Sequence, residues 1–252
     1  MLRSAISNEG RKIMATENQE LGAALAALNG FSDDDLIAHG PAMIGDLVRL
    51  HGAYRRISGP VQNAFERLKF LAPVETLKTA AQVLGDLHAA GNLGTTAGEY
   101  LQNQFVTLFN DATAYSRSRT LTATAEVGSA LPPQRKLREE FASSVIILAE
   151  FENENPLASD GYGPGSDHPP VGMAEFLAAP LSAAAVACPQ GSGWEAHAAE
   201  CFANVTRRVA QTDKAAALEN ARRVAQLTSP DPDGPVNKAA LRLSQELAPK
   251  AA

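Results

Sequence analysis

Residues 96–115 read TAGEYLQNQFVTLFNDATAY, and Leu101, Phe105, Leu108, Ala112 and Tyr115 return every three or four places. That period puts side chains on one face of an α-helix, whereas a strand would bring them back every second place. Thr96 and Glu99 make an S/T-x-x-E capping pattern ahead of the stripe, and Tyr100 and Phe109 widen it. The segment is the most aromatic of the expected helices and the expected centre of the fold.

The same period continues toward the N-terminus. Leu21, Leu25 and Leu28 form a stripe that Asn29-Gly30 ends, since either residue takes a left-handed cap conformation. Ser32 reads as an N-cap, with Asp33, Asp34 and Asp35 in a first turn where the helix dipole favours carboxylates. Gly40-Pro41 is expected to interrupt that helix and open another, with Ile44, Leu47, Val48, His51, Tyr54 and Ile57 inward. Ser58-Gly59-Pro60 and Pro73 open two more, the second carrying Val74, Leu77, Ala81, Leu84 and His88 on one face.

Toward the C-terminus the signal weakens before it recovers. Arg117 to Gly128 is rich in Thr and Ser, with Leu121, Ala123 and Ala125 alternating. A lone strand has no partner, so a frayed helix or ordered loop is expected there. Leu131-Pro132-Pro133 precedes a strong stripe of Leu137, Phe141, Val145, Leu148 and Phe151. Residues 152–172 then hold four prolines and four glycines without periodicity, the composition of a loop or linker. An alanine-rich segment from Met173 to Ala187 follows, interrupted by Pro180. Beyond the loop Cys188 to Gly193, Ser192 and Glu195 form a capping pair for a long helix with Ala198, Cys201 or Phe202, Val205 and Val209 inward. Two further stripes, Leu218–Ala221–Val224–Leu227 and Val236–Leu241–Leu243–Leu247, complete the chain.

The expected fold is therefore all-α, a multihelical bundle or array of about nine to ten short helices. Residues 1–15 are expected to be a flexible lead-in and 16–151 the principal helical domain. Residues 152–172 are the loop or linker, and 173–252 a C-terminal helical segment packed on the same core or appended to it.

Composition bounds the function. The chain is 45% hydrophobic, much of it alanine, which favours helices but buries little area per residue. With 22 basic and 28 acidic residues the net charge is −6, which suits a soluble protein and not a nucleic-acid-binding surface. The basic stretches Arg135-Lys136-Arg138, Arg207-Arg208 and Arg222-Arg223 each read as solvated helix faces. No run of about eighteen apolar residues exists, so no membrane-spanning segment is expected. The first residues lack an apolar signal core, which predicts a cytoplasmic location, or a periplasmic or secreted one if Cys188 and Cys201 are bridged.

Candidate chemistry is sparse. Cys188 and Cys201 are the two cysteines, close enough in sequence for a disulfide between the loop and the following helix. His197 and Cys201 lie four apart on one helix face, and with Cys188 and His168 they are the candidate metal ligands. His51 and His88 are the candidate cofactor-binding residues. Tyr162, in the Pro/Gly-rich segment, and Trp194 are the candidate interface anchors. The chain has no H-E-x-x-H, C-x-x-C, EF-hand, nucleophile-elbow or phosphate-loop motif. The expectation is a non-enzymatic structural or protein-interaction subunit that meets a protein partner or a second copy of itself. Two alternatives are a small helical enzyme or cofactor- or metal-binding domain, and an exported helical protein held by one disulfide. An enzyme is neither required nor excluded, and no cofactor is indicated.

Overall fold

A computed structural model describes residues 19, 21–52, 59–154, 172–189, 191–226 and 233–249. Among these there are eleven helices and no strand. In chain order they are α1 (21–30), α2 (Asp33–Gly52), α3 (Gly59–Leu71), α4 (Pro73–Ala89), α5 (Thr96–Tyr115) and α6 (Arg117–Ala130). Then come α7 (Arg135–Glu154), α8 (Met173–Ala187), α9 (Trp194–Thr212), α10 (Lys214–Ala225) and α11 (Pro235–Leu247). The protein is all-α.

Local chemistry accounts for several helix starts. Ser32 caps α2 reciprocally: its Oγ accepts from Asp35 N at 3.1 Å, and Asp35 Oδ2 accepts from Ser32 N at 3.1 Å. These bonds from Ser32 hold the Asp35 carboxyl below its ordinary pKa. Proline opens α4 and α11, where its missing N–H is no loss. Thr95, one place before the expected residue, caps α5 by accepting from Gly98 N at 3.4 Å.

Four expectations are corrected. Gly40-Pro41 does not break α2, which runs through Pro41. Gly40 packs against Leu36 and Leu68 so closely that a Cβ there would lie 3.1 Å from Leu68. Burial on both sides of the proline outweighs its lost hydrogen bond. Pro180 is likewise accommodated inside α8. Residues 117–130 form a regular helix, with Thr120 and Thr122 hydroxyls donating to the Ser116 and Ser118 carbonyls, each at 2.9 Å. Thr120, Leu121, Thr124 and Val127 are buried against α4, α7 and α8, so tertiary packing overrides weak propensity. Finally, Tyr115, Phe151 and Leu241, read as inward, are 55%, 50% and 53% exposed. Arg119 lies over the Tyr115 ring and Arg117 over the Phe151 ring, 5.8 and 4.8 Å from the centroids.

One buried apolar cluster runs from Leu28 in α1 to Leu243 in α11. Its axis is α8, and not α5 as the aromatic stripe suggests. α8 is buried on nearly every side and packs against α6, α7, α9, α10 and α11. Its alanines make this possible, because short side chains let several helices approach one axis. α5 instead joins the N-terminal helices: Tyr100 Oη donates to Glu66 at 2.8 Å, and Lys69 Nζ, almost wholly buried, reaches Gln104 at 3.1 Å. Burial and the Glu66 bond push the Tyr100 hydroxyl well above its ordinary pKa. No described helix is long and apolar enough to cross a membrane.

Candidate functional site

The two cysteines are unbridged, which overturns the expected disulfide. Cys188 caps the C-terminus of α8 and Cys201 faces inward from α9, each inside the apolar cluster as a small hydrophobe. Burial pushes the Cys188 thiol up to about 11 and the Cys201 thiol up to about 12. Neither is a nucleophile at neutral pH. The folded state thus holds protons that the unfolded chain releases near pH 9, so stability is intact below pH 9 and falls as pH rises toward 11–12. We expect two thiols to titrate in urea without reductant and neither to react promptly in the native protein at pH 8. A chain with no titratable thiol in urea would show this reading to be wrong.

The other candidate residues are dispersed. His197 is exposed on α9 beside the partly buried Trp194, whose ring lies 5.6 Å from it, while Cys201 is buried. Trp194 packs on the core from the first turn of α9, after a left-handed Gly193 at φ 84°. His88 is exposed at the end of α4, and Leu87 takes the inward place beside it. His51 lies in the last turn of α2, and its side chain lies outside the described residues, as do Tyr162 and His168. Among the described residues no three His, Cys, Asp or Glu side chains gather as a metal-binding group.

What the fold does build is a groove between α9 and α11, with a volume of about 510 Å³. α9 turns Ala198, Phe202, Val205 and Val209 to the core, and α11 turns Val236, Ala240, Leu243 and Leu247 there. The next flank of each helix is what lines the groove. On α9 it carries Ala196, Ala199 and Ala203, and on α11 Ala239, partly exposed, beside the buried Leu243. Methyl groups are too short to fill the space between neighbouring helices, so the floor is apolar and concave. Arg207 and Glu246, late in α9 and α11, meet at 3.4 Å across one end. That pairing fits two helices of the same direction with α10 returning between them.

The walls differ in charge. α11 presents Lys238 and Arg242, four residues and one turn apart, and neither is paired with a carboxylate among the described residues. α9 presents Glu200 opposite. Among the described residues no imidazole, thiol or hydroxyl lines the groove, whose ionisable groups are those of Glu200, Arg207, Lys238, Arg242 and Glu246. Its volume falls in the range of about 300–1,000 Å³ common to ligand sites, but it is an open trough.

Two other concavities offer less. One of about 10 Å³, under Pro41, Phe65 and Leu101, is wholly apolar and too small for a useful ligand. The other, about 240 Å³ beside α4 and α6, is crossed by its own ion pairs, Lys78–Glu126 at 2.9 Å and Lys78–Glu75 at 3.2 Å.

The sequence carries only a weak signal for the groove. Alanines at 196, 199 and 203 keep helical spacing on a flank away from the inward stripe. Alanine reads first as a helix former, and only the register of α11 turns that flank into a trough. Fold and groove together define an all-α multihelical protein with an open, charge-rimmed trough. Comparison with protein-family models, with curated proteins and with solved structures finds no match to the chain.

Proposed function

We propose that the chain is a non-enzymatic interaction subunit that receives a protein partner in the trough between α9 and α11. The observation that carries this reading is the combination of an unfilled apolar floor with two cations on one wall, Lys238 and Arg242, that have no carboxylate partner among the described residues. A solvated flank of a finished helix bundle is normally polar and convex. Here Ala199, Ala203 and Ala239 are left partly exposed between two helices that a further element would cover. Polar groups sit at the rim and small apolar groups at the centre, the distribution found in protein–protein interfaces.

The test is the intact native mass of the protein isolated from its own cells, set against its denatured mass. The native mass is expected to exceed that of one chain, with the excess made of protein. Replacing Ala199 and Ala203 by leucine fills the trough and is expected to return the mass to that of one chain. A native monomer, with or without a bound metal ion or organic cofactor, would overturn the reading.

A further inference from the structure

Resting on that reading, we infer that the trough takes an amphipathic helix whose flank toward α11 carries two carboxylates one turn apart. The floor argues for a helix. Ala199 and Ala203 on one side and Ala239 on the other bring no side chain past a methyl, so a third helix axis can approach both walls. The lined part of α9, residues 196 to 207, covers about 16 Å at 1.5 Å per residue. That is three turns of a partner helix, which offers apolar side chains at positions i, i+4 and i+7.

The walls argue for charge and direction. Lys238 and Arg242 share one face of α11 at a spacing of four, and the matching partner has Asp or Glu at the same spacing. Glu200 on the facing wall repels a carboxylate placed there, so the acidic flank must turn toward α11. The Arg207–Glu246 pair closes one end without spending Lys238 or Arg242. The site therefore distinguishes an acidic helix from a basic one by both attraction and repulsion.

Three labelled helical peptides with one apolar stripe test this by fluorescence anisotropy. Their α11-facing flank carries two glutamates, two glutamines or two lysines. The glutamate peptide is expected to bind roughly 5-fold more tightly than the glutamine peptide, the yield of two exposed ion pairs. The lysine peptide should be weakest, and added salt should erase the glutamate advantage. The exposed double substitution Lys238→Glu with Arg242→Glu should reverse the order of the three. Ala203→Leu should weaken all three, with circular dichroism confirming that the helix content is unchanged.

Equal affinity for the three peptides, or an order that survives the charge reversal, overturns the inference. So does a homodimer that the Ala203→Leu change abolishes, because a second copy would then be the occupant. In each of these cases the interaction reading survives if the native assembly still dissociates when the trough is filled. If the native protein is a monomer, both fail together.

Discussion

Replacing Arg117 by methionine is expected to cost about 3–5 kcal/mol of folding stability, measured by urea denaturation. Arg117 is the first residue of α6, and its Nε lies 2.7 Å from Glu152 Oε1 in the last turn of α7. Their side chains are 11% and 3% exposed, so water screens the pair weakly. The guanidinium also covers the Phe151 ring, which is otherwise half exposed. Methionine keeps much of the packing volume but takes this cation away from a carboxylate that is 3% exposed, and breaking one side of a buried pair costs more than replacing both members. Arg117→Met combined with Glu152→Gln should therefore recover part of the loss, because neither member of this pair then carries a charge. A single variant within about 1 kcal/mol of the parent would show that Glu152 has other support or reaches water.

No local sequence signal points to this ion pair. Residues 117–128 have poor helix propensity and no clear stripe, and nothing in them announces a partner at position 152. The helix exists because Ser116 caps it, the threonine hydroxyls bond back to its own carbonyls, and α4, α7 and α8 bury one side. Only the first of these is local. The same distinction explains Pro41 and Pro180, which look like breaks and are held inside helices by surrounding packing. Where the signal is local it was legible: the Ser32 cap, the prolines that open α4 and α11, and the stripe Leu101–Phe105–Leu108–Ala112. Cysteine spacing carried no such information, since bridging depends on two Cβ atoms meeting across a fold. The trough was illegible for a related reason. Alanine has the same local meaning on a packed face and an open one, and the neighbour decides between them.

The second large effect is expected at the junction of α5, α6 and α7, where one ring holds three helices together. Phe141 of α7 is fully buried, and its ring meets that of Phe109 of α5 edge to face, with centroids 6.4 Å apart and planes at 82°. The same ring lies against Gly128 of α6, where an added Cβ would sit 2.9 Å from Phe141 Cε1. Phe141→Ala should cost about 3–5 kcal/mol through the lost transfer energy and the cavity left behind. Gly128→Ala should cost about 1–3 kcal/mol, because a fully buried ring must shift in a close-packed core to admit the added methyl. The two changes together should be less harmful than their sum. Once the ring is gone, the Gly128 methyl enters vacated space, and alanine is the better helix former by about 1 kcal/mol. In the Phe141→Ala background, Gly128→Ala should therefore become neutral or stabilising, a reversal of sign in the double-mutant cycle. Additive losses would mean that α6 and α7 do not meet through this ring, and the close approach that seats α6 in the core would need another cause.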